Sequence, residues 1–236
     1  MHVVAREGAL DFVLDAVARA GSLYEYALLR AHTVLQGGRA GVAVIAGPAG
    51  GDWAVRHAWR GGAVARFLGD RYLRTGTPRP LRELQVNAAL RAAGVATPEL
   101  VAAVAQTAGA WYRGDVATLM VHRTTDLAAL TLGPAPWAPA AREAAWHAAG
   151  ALLHRFFATG AVHADLNLRN LIVQQDTGTA HLLDLDRCEL HDRVQPERVA
   201  AMLARFHRSR RKLEQASGGT VAAAELAAFE RGLEHA

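Results

Sequence analysis

Between Ala161 and Asp186 the sequence permits few conformations. Ala161-Val162 is an apolar strand end that runs into a polar loop, His163-Ala-Asp-Leu-Asn-Leu-Arg-Asn170. Leu171-Ile-Val173 leaves the loop as a second strand. Gln174 to Thr179, with Asp176 and Gly178, has turn composition. Ala180 to Leu183 is a third strand that stops at Asp184, within Leu182-Leu-Asp-Leu-Asp186. The strands on either side of the turn form a hairpin, with Asn170 before one and Asp184 after the other. Both side chains are then able to reach one metal ion, and Asp165 lies five residues before Asn170.

This is the spacing of a phosphoryl-transfer loop. In protein kinases the first Asp receives the proton of the acceptor hydroxyl, and the Asn and the later Asp hold magnesium on the ATP phosphates. Such chemistry needs positioning and charge neutralisation more than covalent catalysis, so few side chains suffice. The expected roles are Asp165 as base and Asn170 and Asp184 as metal ligands, with ATP and Mg2+ as cofactors. Asn167 stands where many kinases carry a Lys or His that contacts the transferring phosphate, and has a supporting role. His163 braces the loop by a hydrogen bond. Asp186 either aids metal or substrate binding or forms the turn.

The 236 residues suit one large domain or two small lobes around a cleft, and 51% apolar residues fill a core easily. A formal charge of +4 fits an anionic partner without demanding nucleic acid, and no basic DNA-reading helix stands out. The single cysteine, Cys188, excludes a disulfide or a cysteine zinc site within the chain and reads as a small filler. Charges in the first twenty residues argue against a signal peptide, and no uncharged apolar run is long enough for a membrane span. A cytoplasmic protein is expected.

Leu10 to His32 reads as helical, interrupted at Gly21-Ser22. A glycine-rich turn follows, Gly37-Gly38-Arg39-Ala40-Gly41, entering the strand Val42–Ile45. At the front of a kinase such a turn covers the ATP phosphates with backbone N–H groups, although glycine turns between strands are common. Asp52 to Ala58 is the next strand, and its Arg56 stands where kinases usually carry Lys. Pro80 to Ala93 is a helix closed by Gly94. Its Glu83 either complements the helix dipole or pairs with Arg56. Strands at Pro98–Ala105 and Asp115–Val121 close the first lobe, with His122–Leu127 as hinge. Ala140–Thr159 is a long helix with a core stripe from Trp146 to Phe157. Pro196–Gln215 is another, with a basic end of Arg205, Arg208, Arg210, Arg211 and Lys212. That end is either a solvated helix terminus or a contact for acidic headgroups or substrate phosphate. Thr220–Leu233 is a final helix.

Only 52 residues follow Asp184, too few for a peptide-docking platform, so a small-molecule or glycolipid acceptor is expected. Here the residues resemble a known family. The pieces are Val55-Arg-His57 with Arg60-Gly-Gly62, Asp70-Arg-Tyr-Leu-Arg-Thr-Gly76, Arg82-Glu-Leu84, Trp111-Tyr-Arg-Gly-Asp115, His163 to Asn167, Leu183 to Cys188, and Leu203 to Leu213. The chain resembles the 3-deoxy-D-manno-octulosonic acid (Kdo) kinases of the lipopolysaccharide kinase superfamily, from about Gly37 to Leu213. The resemblance implies an α+β, protein-kinase-like fold: an N-terminal antiparallel sheet with one helix over residues 1–122, and a reduced, mainly helical catalytic lobe over 123–236. It implies ATP-dependent phosphorylation of the Kdo 4-hydroxyl on a lipid A precursor, by a cytoplasmic enzyme peripheral to the inner membrane and requiring no nucleic acid or protein partner. Arg on the third strand is normal in this family.

ATP is then expected under Gly37, Gly38 and Gly41, with Arg56 on its phosphates and Glu83 pairing Arg56. Arg60, Arg71, Arg74 and Arg187 are candidates for the acceptor's carboxylates and phosphates. The chain departs from the family at Leu119-Met-Val-His122, where an acidic residue is usual, and residues 1–36 match loosely. Two other readings stay open at this point. One is a kinase for an aminoglycoside or another sugar, whose loop is close to His163-Ala-Asp165. The other is a pseudokinase that binds nucleotide without transfer.

Overall fold

The computed structural model describes residues 1–36, 41–59 and 69–234. The chain divides into two units, Met1–Ala88 with Glu99–Met120, and Ala89–Pro98 with Val121–Ala236. The first unit is built on an antiparallel sheet of β1 (His2–Ala5), β2 (Thr33–Leu35), β3 (Val42–Ala46), β4 (Asp52–His57), β5 (Tyr72–Leu73), β6 (Leu100–Ala108) and β7 (Trp111–Leu119). The order is β1-β6-β7-β4-β3-β2, with β5 paired to the start of β7.

Helices α1 (Leu10–Ala20) and α2 (Leu23–Arg30) fall where the periodicity places them. Gly21 ends α1 at φ 85°, and the Ser22 hydroxyl opens α2 by accepting from the Glu25 amide at 3.0 Å. Both helices pack on one face of the sheet, through Val13, Ala16, Leu23 and Ala27 against Ile45, Trp53, Val55 and Ala117. The other face carries α3 (Arg79–Ala92), whose Leu81 and Leu84 cover Leu100, Ala103 and Val116. Strand alternation thus decides what each β4 residue meets. Trp53 and Val55 are spent on the α1–α2 face. Arg56, opposite Val116 in the register, belongs to the α3 face. Gly114 lets α3 approach closely, because a Cβ there would overlap the ring of Pro80.

The second unit contains β8 (Thr124–Asp126), α4 (Leu127–Leu132), α5 (Pro139–Ala158), β9 (Ala161–His163), β10 (Leu171–Gln174), β11 (Ala180–Leu182), β12 (Cys188–Leu190), α6 (Pro196–Ser217) and α7 (Ala223–Glu234). Its core is aromatic. Trp146, Phe206 and Phe229 are fully buried, and the last two stack with centroids 4.9 Å apart. The stripe read from α5 is this core: Trp146, Ala149, Leu153 and Phe156 are buried. Strands β10 and β11 form the expected hairpin, pairing Leu171 with Leu182.

Two expectations need correction. The strands expected at 98–105 and 115–121 run over Leu100–Ala108 and Trp111–Leu119, because Gly109, at φ 59°, supplies a tight turn between them. The expected hinge at His122–Leu127 holds β8, which pairs with β10, and the start of α4. Thr124-Thr-Asp126 is polar throughout, so hydrophobic pattern gives it no strand signal. Among the described residues no helix is long and apolar enough to cross a membrane.

Candidate active site

In the second unit, the loop between β9 and β10 is set by its own polar side chains. The buried His163 accepts the Asp165 amide proton at Nδ1, 3.1 Å away. Its proton therefore sits on Nε2, 3.1 Å from the Leu183 carbonyl. Burial keeps this imidazole neutral by lowering its pKa, against the opposing pull of the Leu183 carbonyl and the nearby carboxylates. One side chain thus ties the Asp165 loop to the backbone just before Asp184. A second tie runs from the Leu183 amide to the Asn170 carbonyl, at 2.8 Å.

The amides of Asn167 and Asn170 both donate to the Asp165 carbonyl, at 2.8 and 2.9 Å. Because the Asn170 nitrogen is spent there, its side-chain oxygen is left to accept or to ligate. The Asp165 and Asp184 carboxylates are exposed and, beyond their pull on His163, make no hydrogen bond or ion pair among the described residues. Asp184 adopts φ 60°, a left-handed conformation that non-glycine residues seldom hold. Among the described residues, no group of three His, Cys, Asp or Glu forms a metal cluster. An amide oxygen and one carboxylate still suit Mg2+, a hard cation that is usually completed by phosphate and water oxygens.

Two contacts from α6 were not foreseen. Arg205 donates to the Ala164 carbonyl, and the His163 amide lies 3.2 Å from the Met202 sulfur. Arg205 was expected in a basic surface patch, but its side chain is turned inward onto the loop. Arg210 pairs with Glu214 at 2.7 Å. Of the patch, Arg208, Arg211 and Lys212 are exposed.

In the first unit, Arg56 and Glu83 form an ion pair across β4 and α3. On the opposite face of β4 lies a largely buried charge network. His57 Nδ1 is 2.5 Å from Asp115, and its Nε2 is 3.0 Å from Asp70. Arg113 holds the same Asp70 oxygen at 2.6 Å, and the Tyr24 amide donates to Asp115. Burial pulls the His57 pKa down, but the bonds and charges of Asp115 and Asp70 outweigh it and the net shift is upward. For Asp70, burial pushes up, Arg113 and His57 pull down, and the net shift is downward. Side chains from three separate pieces of the family pattern, His57, Asp70 and Arg113 with Asp115, meet here. No spacing rule links them along the chain.

Gly41 precedes β3 and its carbonyl accepts from the Tyr24 hydroxyl at 2.8 Å. Gly37, Gly38 and Arg60 lie outside the described residues. Arg71, Arg74 and Arg187 are exposed, with Arg74 donating to the Gly109 carbonyl at 3.3 Å.

A sheet unit with an Arg–Glu pair and a helical unit with an Asp–Asn–Asp loop make this a protein-kinase-like fold. The solved structure described as WaaP in complex with acyl carrier protein is similar, with a TM-score of 0.62 over 99% of this chain and 88% of that one at 16% identity. The family model described as the lipopolysaccharide kinase (Kdo/WaaP) family matches residues 30–224, and the chain belongs to that family. Relatives named 3-deoxy-D-manno-octulosonic acid kinase include one from Pasteurella multocida (strain Pm70), 33% identical over 66% of this chain and 64% of the relative. One from Stenotrophomonas maltophilia (strain K279a) is 32% identical over 67% of this chain and 61% of the relative. Another, from Xylella fastidiosa (strain 9a5c), is 30% identical over 77% of this chain and 72% of the relative. The chain thus spans less than two thirds of the length of the first two.

Proposed function

We propose that this chain is an ATP-dependent kinase that phosphorylates a Kdo hydroxyl, the 4-hydroxyl, on a Kdo-bearing lipid A precursor. The observation that carries this reading is the Asp165 loop: an exposed carboxylate on a backbone braced by His163, Asn167 and Asn170 and tied to the residue before Asp184. Asp165 orients the sugar hydroxyl and takes its proton as the phosphoryl group is transferred. Asn170 and Asp184 hold Mg2+, which supplies charge neutralisation on the nucleotide phosphates. The first unit binds the nucleotide, with Gly37, Gly38 and Gly41 covering phosphates and Arg56 contacting them, oriented by Glu83. Asn167 supports the transferring group.

The relatives are named for a kinase of 3-deoxy-D-manno-octulosonic acid, and that sugar is the acceptor in this reading. Work on a membrane glycolipid also places the protein at the cytoplasmic face of the inner membrane, with Arg208, Arg211 and Lys212 toward acidic headgroups. The reading requires no protein partner.

The test is transfer of labelled γ-phosphate from ATP to Kdo-lipid IVA, with and without magnesium, beside Asp165→Asn. Magnesium-dependent label in the glycolipid is expected, with a rate at least about 100-fold lower in the variant. Full turnover by Asp165→Asn would remove Asp165 as the base. Transfer to aminoglycosides but not to the glycolipid would overturn the acceptor.

A further inference from the structure

Helix α2 lies within residues 1–36, the segment that matches the family pattern loosely. One of its side chains nevertheless reaches the glycine-rich turn. The Tyr24 hydroxyl donates to the Gly41 carbonyl at 2.8 Å. The side chain is buried, and its ring lies 5.8 Å from that of His57 with 32° between their planes. Burial and the charge of Asp115 raise the pKa of the phenol, so the hydroxyl keeps its proton and remains a donor.

The backbone of Tyr24 is fixed as well. It is the second residue of α2, where an amide has no acceptor inside the helix. That amide donates to Asp115 Oδ2 of β7 at 3.2 Å, while the other oxygen of the carboxylate faces His57 Nδ1. Tyr24 is therefore anchored to the centre of the sheet, and its hydroxyl reaches Gly41 from a rigid base.

Gly41 needs an outside tie of this kind. A Cβ there would lie 2.6 Å from Val34 Cγ1 and 3.1 Å from the Leu35 carbonyl oxygen, so the close approach to β2 favours glycine. Glycine, in turn, restrains its own backbone least of all residues. Because the peptide group is planar, holding the Gly41 oxygen holds the whole Gly41–Val42 plane. That plane sets the direction in which the turn enters β3.

We propose that Tyr24 is a positioning residue for the nucleotide: its hydroxyl holds the Gly41 end of the glycine-rich turn in the arrangement that receives the phosphates. A turn already held in place spares the ordering cost that binding would otherwise carry. The inference rests on the nucleotide site proposed above for the first unit, but it does not require that phosphoryl transfer occur.

The test is titration calorimetry with ATP and magnesium, and separately with adenosine, on the wild type, Tyr24→Phe and Tyr26→Phe. Both substitutions remove a phenol hydroxyl from α2, but the Tyr26 ring packs edge-on against Phe12. Tyr24→Phe is expected to bind ATP about 5-fold more weakly, the worth of one neutral hydrogen bond. Its affinity for adenosine, which carries no phosphate, should match the wild type, as should both affinities of Tyr26→Phe. In the labelled-phosphate assay Tyr24→Phe should show a raised KM for ATP and an unchanged kcat. An unchanged ATP affinity in Tyr24→Phe would overturn the proposal. Equal losses for ATP and adenosine would also overturn it, because they would mark Tyr24 as part of the general packing of the unit. A wild type that binds no ATP would overturn both the proposal and the kinase reading. A loss confined to ATP, in a protein that phosphorylates no glycolipid, would uphold Tyr24 and refute the transfer reading alone.

Discussion

Replacing Asp115 by asparagine tests whether His57 is a buried cation. Both His57 ring nitrogens lie within 3.0 Å of a carboxylate oxygen, so both must carry protons. The folded-state pKa is raised, so His57 contributes stability that is fully present below its unfolded pKa of about 6.5. That contribution is lost as pH rises through the folded value. Over this window the folded state binds up to one more proton than the unfolded one, and stability should fall by up to about 1.4 kcal/mol per pH unit. His163, His181 and His207 do not confuse the measurement. Burial lowers all three pKa values, so their contributions are complete above about pH 6.5 and are lost only on acidification.

Asp115 is 2% exposed, and losing its charge leaves the imidazolium with Asp70 alone. Breaking a buried pair costs about 3–5 kcal/mol, and asparagine, which keeps one acceptor, should fall near the lower end. At about 2–4 °C per kcal/mol the melting temperature should drop by roughly 10 °C. Thermal melts of both proteins from about pH 6.5 upward decide the matter. The expected result is a wild-type stability that declines with pH and a variant whose declining window is narrower. A flat wild-type profile, or an identical slope in Asp115→Asn, would show that His57 is neutral and the reasoning wrong.

Arg205→Met removes the α6 contact to the Ala164 carbonyl and should lower kcat about 10-fold or more with little change in KM for ATP, while Arg205→Lys recovers part of the loss. Equal losses in both variants, with a lowered melting temperature, would mark Arg205 as structural only. At Gly150 a Cβ would overlap the Phe229 carbonyl of α7, so Gly150→Ala should destabilise by about 1–3 kcal/mol, beyond the gain of up to about 1 kcal/mol that alanine brings to a helix. Urea denaturation that shows no loss would mean that α5 and α7 have room to separate.

Much of the candidate site was legible because its parts are close in sequence. Residues 161–186 contain the loop, the hairpin and all three polar groups, and the bonds that shape them span short distances along the chain. His163, Asn167 and Asn170 fold the loop onto itself, so local composition was enough to place it. Long helices were legible for a similar reason: α5 and α6 carry sustained periodicity and proline at their starts. The Arg56–Glu83 pair was open to two readings, and the alternation of β4 selects between them by spending Trp53 and Val55 on the opposite face.

Other features depend on contacts between distant residues. β8 is three polar residues that become a strand only because β10 offers its edge. The His57 network joins β4, β7 and Asp70 across up to 58 positions, and a buried charge is tolerated only where the fold supplies its partners. Arg205 looked like one member of a surface charge run, and only helix packing turns it toward a carbonyl 41 residues away. What the chain determined by itself is the chemistry of one loop and the periodicity of its helices, since both arise from near neighbours. Which charges are buried, which face each strand shows and which arginines remain exposed were decided by tertiary structure, because burial and pairing are properties of the assembled layers.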